Sequence, residues 1–380
     1  MAIRFGFIST YPPTQCGLAT FTASLLGALT ASGEDHARVA RLVETARPPA
    51  AAEVVGDLPV GDAAESARSM SRLNECDVVI VQHEFGVYGG ADGQDVLALL
   101  AMLEVPSIVV LHTVLADPTP HQRQVLAAVT EAASAVVVMT VTARDRLTAA
   151  CAVDPGKISI IPHGAPERSA ASAGLSAGHP GGRPTVLTWG LLGPGKGIEW
   201  GIRAMVQLLD LQPAPRYLIA GQTHPKVLLR DGEAYRDSLS RLSQQLSLAD
   251  SVRLDHRYRE APELAELVAA ADVVLLPYDS ADQVTSGVLI EAVAAGKPVV
   301  ATAFPHAVEL LAGGAGVVVP HRSPAAIADA LRMLFTRRDV ATAMSQAGEA
   351  VAPQLRWSAI ADRYRKLSVR LIADSVLVGA

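Results

Sequence analysis

A chain of 380 residues, half of them hydrophobic, 4% aromatic and with a formal net charge of −6, is long enough for two domains, and its Ala, Val and Leu suit buried parallel strands. No cluster of Lys and Arg appears, which argues against nucleic acid as a partner, because neutralising phosphates takes clustered cations. Cys16, Cys76 and Cys151 lie far apart with no CxxC pair, which excludes a cysteine zinc site and fits a reduced, cytoplasmic protein.

The opening run MAIRFGFIST is too short an apolar stretch for a signal peptide and reads as a first strand. No apolar segment is long and unbroken enough to span a bilayer; peripheral contact at the inner membrane face stays open. Strands are predicted at Arg4–Ile8, Val39–Val43, Val78–Val81, Ser107–Leu111, Ala135–Met139 and Ile158–Ile161. After the first of them, GLATFTASLLGAL puts Leu18, Phe21, Leu25, Leu26 and Leu29 on one helical face. Repeated strand–helix units imply an α/β fold with a doubly wound parallel sheet.

From Pro166 to Pro184 the chain is rich in Ser, Ala, Gly and Pro and reads as a linker. The strand–helix pattern then restarts, with strands predicted at Val186–Trp189, Tyr217–Ala220, Val252–Leu254, Val273–Leu276, Val299–Ala301 and Val317–Val319. An amphipathic helix begins at Trp357. The expected organisation is a Rossmann-like domain over 1–165, a linker over 166–184, a second Rossmann-like domain over 185–355 and a terminal helix over 356–380, with a cleft between the domains.

In open α/β sheets ligands bind beyond the carboxyl ends of the strands, so the loops after strands carry the candidates. In STYPPTQCGLATFT, Gly17 opens a helix and lets a ligand approach the backbone; an ordinary strand–helix turn reads the same way. His83, Glu84 and His112 each follow an apolar strand closely and could line the cleft, where a histidine can donate to a sugar hydroxyl or to developing charge. In TWGLLGPGKGIEW, Gly190, Gly195 and Lys196 fit the start of a Walker A pattern, but Gly197 stands where the magnesium-binding Ser or Thr belongs. A Gly-rich turn with one Lys aimed at a phosphate remains. Gln222, Thr223 and His224 follow another strand and are candidates to line the cleft, with no role fixed by spacing, and Arg257 or Tyr258 of DHRYRE could contact a base.

The stretch YDSADQVTSGVLIEAVAAGKPVVAT, from Tyr278 to Thr302, is the most informative. Thr285 or Ser286 can cap the helix that follows, and the Ser286, Gly287 and Val288 amides make an anion site at its start. Glu291 lies one turn further in, and its side chain tilts back toward that site. A carboxylate cannot bind phosphate, but it can accept two hydrogen bonds from a vicinal diol such as a ribose. Amides for a diphosphate and a carboxylate for a ribose describe a nucleotide-diphosphate pocket. No DxD motif appears, and no metal or other cofactor is expected.

Over nearly its whole length the chain resembles the retaining glycosyltransferases of the family-four (group 1) type. The resemblance rests on STYPPTQCGLATF, IPHGAP, GLLGPGKG, ADVVLLPY, SGVLIEAVAAGKPVVAT, GAGVVVP and the Trp-led final helix. It implies a GT-B fold, two Rossmann-like domains facing across a cleft, with the last helix crossing back to the first domain. The second Glu of the family's Glu-x7-Glu motif falls on Glu291, the ribose ligand; the first falls on Gln283, where relatives contact the donor sugar with an acid. Asp282 is one residue away and Thr285 lies in the same loop. Leu191 stands where relatives often carry an Arg, so Lys196 alone remains of that pair, with Arg257 or the helix amides as compensation.

The expected function is retaining transfer of a hexose, such as mannose or glucose, from a GDP- or UDP-linked sugar to a hydroxyl of a carbohydrate or small-molecule acceptor. Lys196 and the amides of 286–288 would stabilise the leaving diphosphate, and His112 would touch the donor sugar or the reacting centre. Two alternatives stay open: another GT-B enzyme such as a nucleotide-sugar 2-epimerase, and a sugar-nucleotide-binding protein without transfer activity.

Overall fold

The computed structural model describes residues 1–45, 51–59, 61–167 and 182–378; most of the segment expected as a linker, 168–181, lies outside them. The chain forms two compact units, one of Met1–Gly164 with Trp357–Ala380 and one of Ala165–Arg356.

The first unit is built on a sheet of seven strands: β1 (Arg4–Ser9), β2 (His36–Val43), β3 (Val54–Pro59), β4 (Val78–His83), β5 (Ser107–Leu111), β6 (Ala135–Val138) and β7 (Ile158–Ile160). All pair in parallel, in the order β3-β2-β1-β4-β5-β6-β7. The central strands read as apolar runs because helices cover both faces, and β4 and β5 are buried along their whole length. The helix Gly17–Leu29 buries Phe21, Leu25, Leu26 and Leu29 against one of those faces. Strand β3 was not expected, because Gly56 and Pro59 interrupt its pattern. It pairs only with β2, as an edge strand, and is tied to it by a buried ion pair between Arg41 and Asp57 at 2.9 Å.

The terminal helix, Trp357–Val378, packs in this unit against the Gly17–Leu29 helix. Trp357 meets the edge of Phe21 at 5.0 Å, and Gly164 lies so close to the indole that any Cβ there would collide with it. Asp35 fixes the helix further along, accepting from Arg365 Nε at 2.8 Å and from the Ile3 amide at 2.8 Å.

The second unit holds six parallel strands: β8 (Thr185–Trp189), β9 (Arg216–Ala220), β10 (Val252–Asp255), β11 (Val273–Leu276), β12 (Val299–Thr302) and β13 (Gly316–Val319), in the order β10-β9-β8-β11-β12-β13. Alternation along the strands builds two cores, one on each face. Val186, Val273 and Leu275 point to the first; Leu187, Trp189, Val274 and Leu276 point to the second, where Leu289 and Ile290 cover them.

Both sheets therefore follow the doubly wound order 3-2-1-4-5-6, with β7 added at the edge of the first. The order reverses between β1 and β4 in the first unit and between β8 and β11 in the second. At such a switch point the loops leaving adjacent strands run to opposite faces, and doubly wound sheets as a class bind ligands there, beyond the carboxyl ends. That places the Gly17 and His83 loops at one switch point, and the Gly190–Gly197 and Pro277–Ser286 loops at the other.

Gly197, with φ +60°, sits so close to the Pro277 carbonyl that a Cβ would strike the backbone oxygen. Gly197→Ala is therefore expected to cost about 2 kcal/mol or more and lower Tm by several degrees in a thermal melt. Gly17→Ala, where nothing lies within 4 Å of a Cβ, is expected to leave Tm unchanged.

Candidate functional site

At the switch point of the second unit, the Gly-rich loop turns sharply and meets the loop after β11. Gly190 and Gly195 have φ +120° and +88°, and the Asp279 amide donates to the Gly195 carbonyl at 2.9 Å. Asp279 also accepts from Trp200 Nε1 at 3.1 Å and pairs with Arg322 at 3.3 Å. Lys196 projects from this turn with its ammonium 4.3 Å from the centre of the Tyr278 ring. Tyr278 is itself stacked on Phe304 at 5.1 Å. The sequence reading did not single out Tyr278, yet its ring face is what steers the lysine.

His224 belongs to this cluster. It caps the helix Pro225–Asp231 by accepting from the Lys226 amide at 3.2 Å, and burial together with the charges of Lys226 and Lys196 holds its pKa below the usual value. A neutral histidine and two ammonium groups thus gather at the Gly-rich loop.

The helix Gly287–Ala294 is capped by Ser286, whose hydroxyl accepts from the Leu289 amide at 3.3 Å; of the two capping candidates, Thr285 is not the one used. The expected trio of free amides needs correction. The Ser286 amide donates to Nδ1 of His306 at 2.8 Å and is not available to a phosphate. The Gly287 and Val288 amides remain, in the first turn where a helix offers no internal acceptor. Gly190 lies against Val288, with a Cβ at 190 falling 3.6 Å from Val288 Cγ2, so the Gly-rich loop and the helix start share one surface.

Glu291 is one turn in. Burial pushes its carboxyl up to about 7, against a lowering effect from the hydrogen bond of the Trp189 side chain. Trp189 ends β8 on the same face as Leu289, which is why its indole reaches the carboxylate. Only its place at a strand end could have marked it in the sequence. In the loop before the helix, Gln283 Nε2 donates to the Thr285 carbonyl at 3.2 Å and the buried Thr285 hydroxyl has no partner among the described residues. Asp282 is exposed.

Arg257 is exposed but already paired. Its backbone and guanidinium make three hydrogen bonds to Asp255, between 3.1 and 3.2 Å, and Arg259 adds a fourth at 2.6 Å. These arginines, Arg257 first, hold Asp255 well below the usual carboxylate range. Tyr258 is exposed on the same loop, after the edge strand β10, with β9 lying between that strand and β8.

In the first unit, the chain leaving β5 and β7 brings two histidines to Phe21. His112 meets the Phe21 edge at 4.8 Å and His163 meets it at 5.0 Å. Burial, then the proximity of His163 and His83, lowers His112 to about 3; burial lowers His163 to about 4. Both rings are neutral at physiological pH. Gln82 Oε1 faces His112 Nε2 at 2.6 Å, so that nitrogen carries the proton and Nδ1 is left as an acceptor. The sequence reading expected a donor; with Nε2 engaged by Gln82, the ring nitrogen that remains is an acceptor. His163 lies inside the motif IPHGAP but was not picked out, and donates from Nδ1 to the Gly164 carbonyl at 2.6 Å.

His83 is a correction. It is wholly buried between Phe85 and Tyr88, lowered by burial to about 4, and presents no surface to a ligand. Glu84 is half-buried and accepts from the Thr113 hydroxyl at 2.6 Å. Gly17 is exposed at its helix start. No group of three or more His, Cys, Asp or Glu side chains with metal-binding geometry occurs among the described residues. No described helix is long and apolar enough to cross a membrane.

Residues 176–351 match the family model for glycosyl transferases group 1. A D-inositol 3-phosphate glycosyltransferase of Kineococcus radiotolerans is 32% identical over 268 residues, 65% of this chain and 59% of that protein. A GDP-mannose-dependent alpha-(1-6)-phosphatidylinositol monomannoside mannosyltransferase of Mycobacterium tuberculosis is 33% identical over 188 residues, 48% of this chain and 46% of that one. The chain thus spans about half to three-fifths of the curated relatives it matches. The crystal structure of Anabaena HepE in complex with UDP superposes with a TM-score of 0.72 at 16% identity, covering 96% of this chain and 99% of that one. The two doubly wound sheets and the structural likeness agree on a GT-B fold, and residues 176–351, most of the second unit, carry the match to group 1 glycosyl transferases.

Proposed function

We propose that the protein transfers a hexose from a nucleoside-diphosphate sugar to an acceptor hydroxyl with retention of anomeric configuration. The observation that carries this is the pairing, at one switch point, of Glu291 with the unbonded amides of Gly287 and Val288 and with Lys196. Glu291 grips the ribose diol, the two amides and Lys196 take the diphosphate, and Gln283, Thr285 and Asp282 face the donor sugar. Lys196 and the amides stabilise charge as the diphosphate leaves, which needs no metal. With no nucleophilic carboxylate assigned among the described residues, attack from the face the leaving group departs fits this reading better than a covalent intermediate.

His112 and Gly17 on the first unit would serve the sugar and the acceptor. The mannosyltransferase relative is GDP-mannose-dependent by name, and the Anabaena structure holds UDP; both support a nucleotide-sugar donor. Peripheral contact with a membrane surface would suit a lipid-linked acceptor. The experiment is to measure nucleoside diphosphate released from GDP-mannose and UDP-glucose, with and without inositol, inositol phosphate and simple sugars. Acceptor-dependent release with an α-linked product is expected; a free epimerised nucleotide product, or binding without release, would replace this reading.

Tyr278 gives a separate check. Tyr278→Leu removes the ring beneath Lys196 and is expected to lower kcat/KM about tenfold, the scale of a partly desolvated cation–π contact. Tyr278→Phe keeps the ring and loses only a buried hydroxyl without a partner among the described residues, so it should keep both activity and Tm.

A further inference from the structure

His306 belongs to none of the motifs that carry the family resemblance, yet it holds the loop before the Gly287–Ala294 helix at two points. Its ring Nδ1 accepts from the Ser286 amide at 2.8 Å, and its own amide donates to the Gln283 carbonyl at 3.3 Å. The residue is almost wholly buried, in the first turn of the helix Pro305–Leu311 that follows β12. Two residues earlier, Phe304 stacks on Tyr278, the ring beneath Lys196. The short segment 304–306 therefore braces both the loop cation and the loop bearing Gln283 and Thr285.

Resting on the nucleotide-sugar reading above, we propose that His306 is a positioning residue for donor-sugar recognition. It fixes Gln283 and Thr285 without touching the nucleotide. A buried amide needs an acceptor, and the imidazole supplies one between Gln283 and the helix start. An apolar side chain at 306 leaves the Ser286 amide unpaired, and the loop must move to recover a partner. Glu291 lies in the following turn of the helix, and the Gly287–Val288 turn is capped by the Ser286 hydroxyl rather than by the imidazole, so the grip on the nucleoside diphosphate persists.

The two halves of a donor should then respond differently. Calorimetric titration compares UDP with UDP-glucose and GDP with GDP-mannose on the wild type, His306→Leu and His306→Asn. Asn offers an amide oxygen close to the place of Nδ1. His306→Leu is expected to weaken the sugar nucleotide about tenfold and the nucleoside diphosphate less than about twofold, the scale of one buried hydrogen bond. His306→Asn should recover most of the loss. Should the Leu variant not fold, His306→Gln, whose oxygen is displaced by one methylene, replaces it with the same expectation. Equal weakening of both ligands, no weakening of either, or Asn faring no better than Leu or Gln overturns the proposal. A wild type that binds neither pair overturns the nucleotide-sugar reading first, and that failure is visible without any variant.

Discussion

Lys196→Ala is expected to lower kcat by about 10²–10³-fold, the usual cost of deleting one preorganised group that stabilises developing charge. The size follows from how few cations serve the site. Position 191, where relatives often place an arginine, is Leu191, and Arg257 is bound to Asp255. Lys226 lies close enough to act on His224, but it extends from the next helix rather than from the Gly-rich turn. Lys196→Arg should not restore the rate, because a planar guanidinium over Tyr278 stacks on the ring instead of presenting a point charge. Steady-state kinetics check both variants, and an unchanged kcat in Lys196→Ala would remove the phosphate role.

Glu291→Gln is expected to abolish donor use and, at the same time, to stabilise the ligand-free protein at alkaline pH. The carboxyl titrates at about 7 because burial disfavours its charge. Between the pH where an unfolded Glu ionises and about 7, the folded state holds a proton that the unfolded state has released. Stability contributed by this group is thus present at low pH and lost as pH rises through about 7. Gln carries no such penalty, so the Tm of the variant should exceed that of the wild type at pH 8, with the gap closing toward pH 5. Ribose binding needs the charged form, so wild-type kcat/KM should fall as pH drops below about 7. His83, His112 and His163, at about 4, 3 and 4, are already neutral across that range and cannot be the source of that limb. A limb near 7 that survives in a weakly active Glu291→Asp variant unshifted would point to another group.

Such a trade is common at binding sites, where a group placed for a ligand is poorly placed for the empty fold. Trp189 moderates it here, by giving the carboxylate one hydrogen bond.

The strand–helix alternation was legible because parallel strands covered on both faces leave unbroken apolar runs, such as VVIV in β4 and VVLL in β11. Strand β3 was not, since an edge strand with Gly56 and Pro59 owes its place to the pair between Arg41 and Asp57, which spacing does not reveal. The place of Glu291, one turn into a capped helix, was legible in the sequence. Its partner Trp189 was not, because they meet only when β8 and the Gly287–Ala294 helix pack on one face. The same limit explains His83. A histidine at a strand end looks like a site residue, but Phe85 and Tyr88 close over it. It also explains Ser286, whose amide looked free until His306, twenty residues later, folded onto it.

The most direct test is calorimetric titration of the wild type and Glu291→Ala with GDP-mannose and UDP-glucose at pH 8. If Glu291 holds the ribose beside the Gly287 and Val288 amides, the wild type binds one of the two donors. The variant then loses about a hundredfold or more in affinity, the scale of two hydrogen bonds to a charged group. Equal affinity in the two proteins would contradict it.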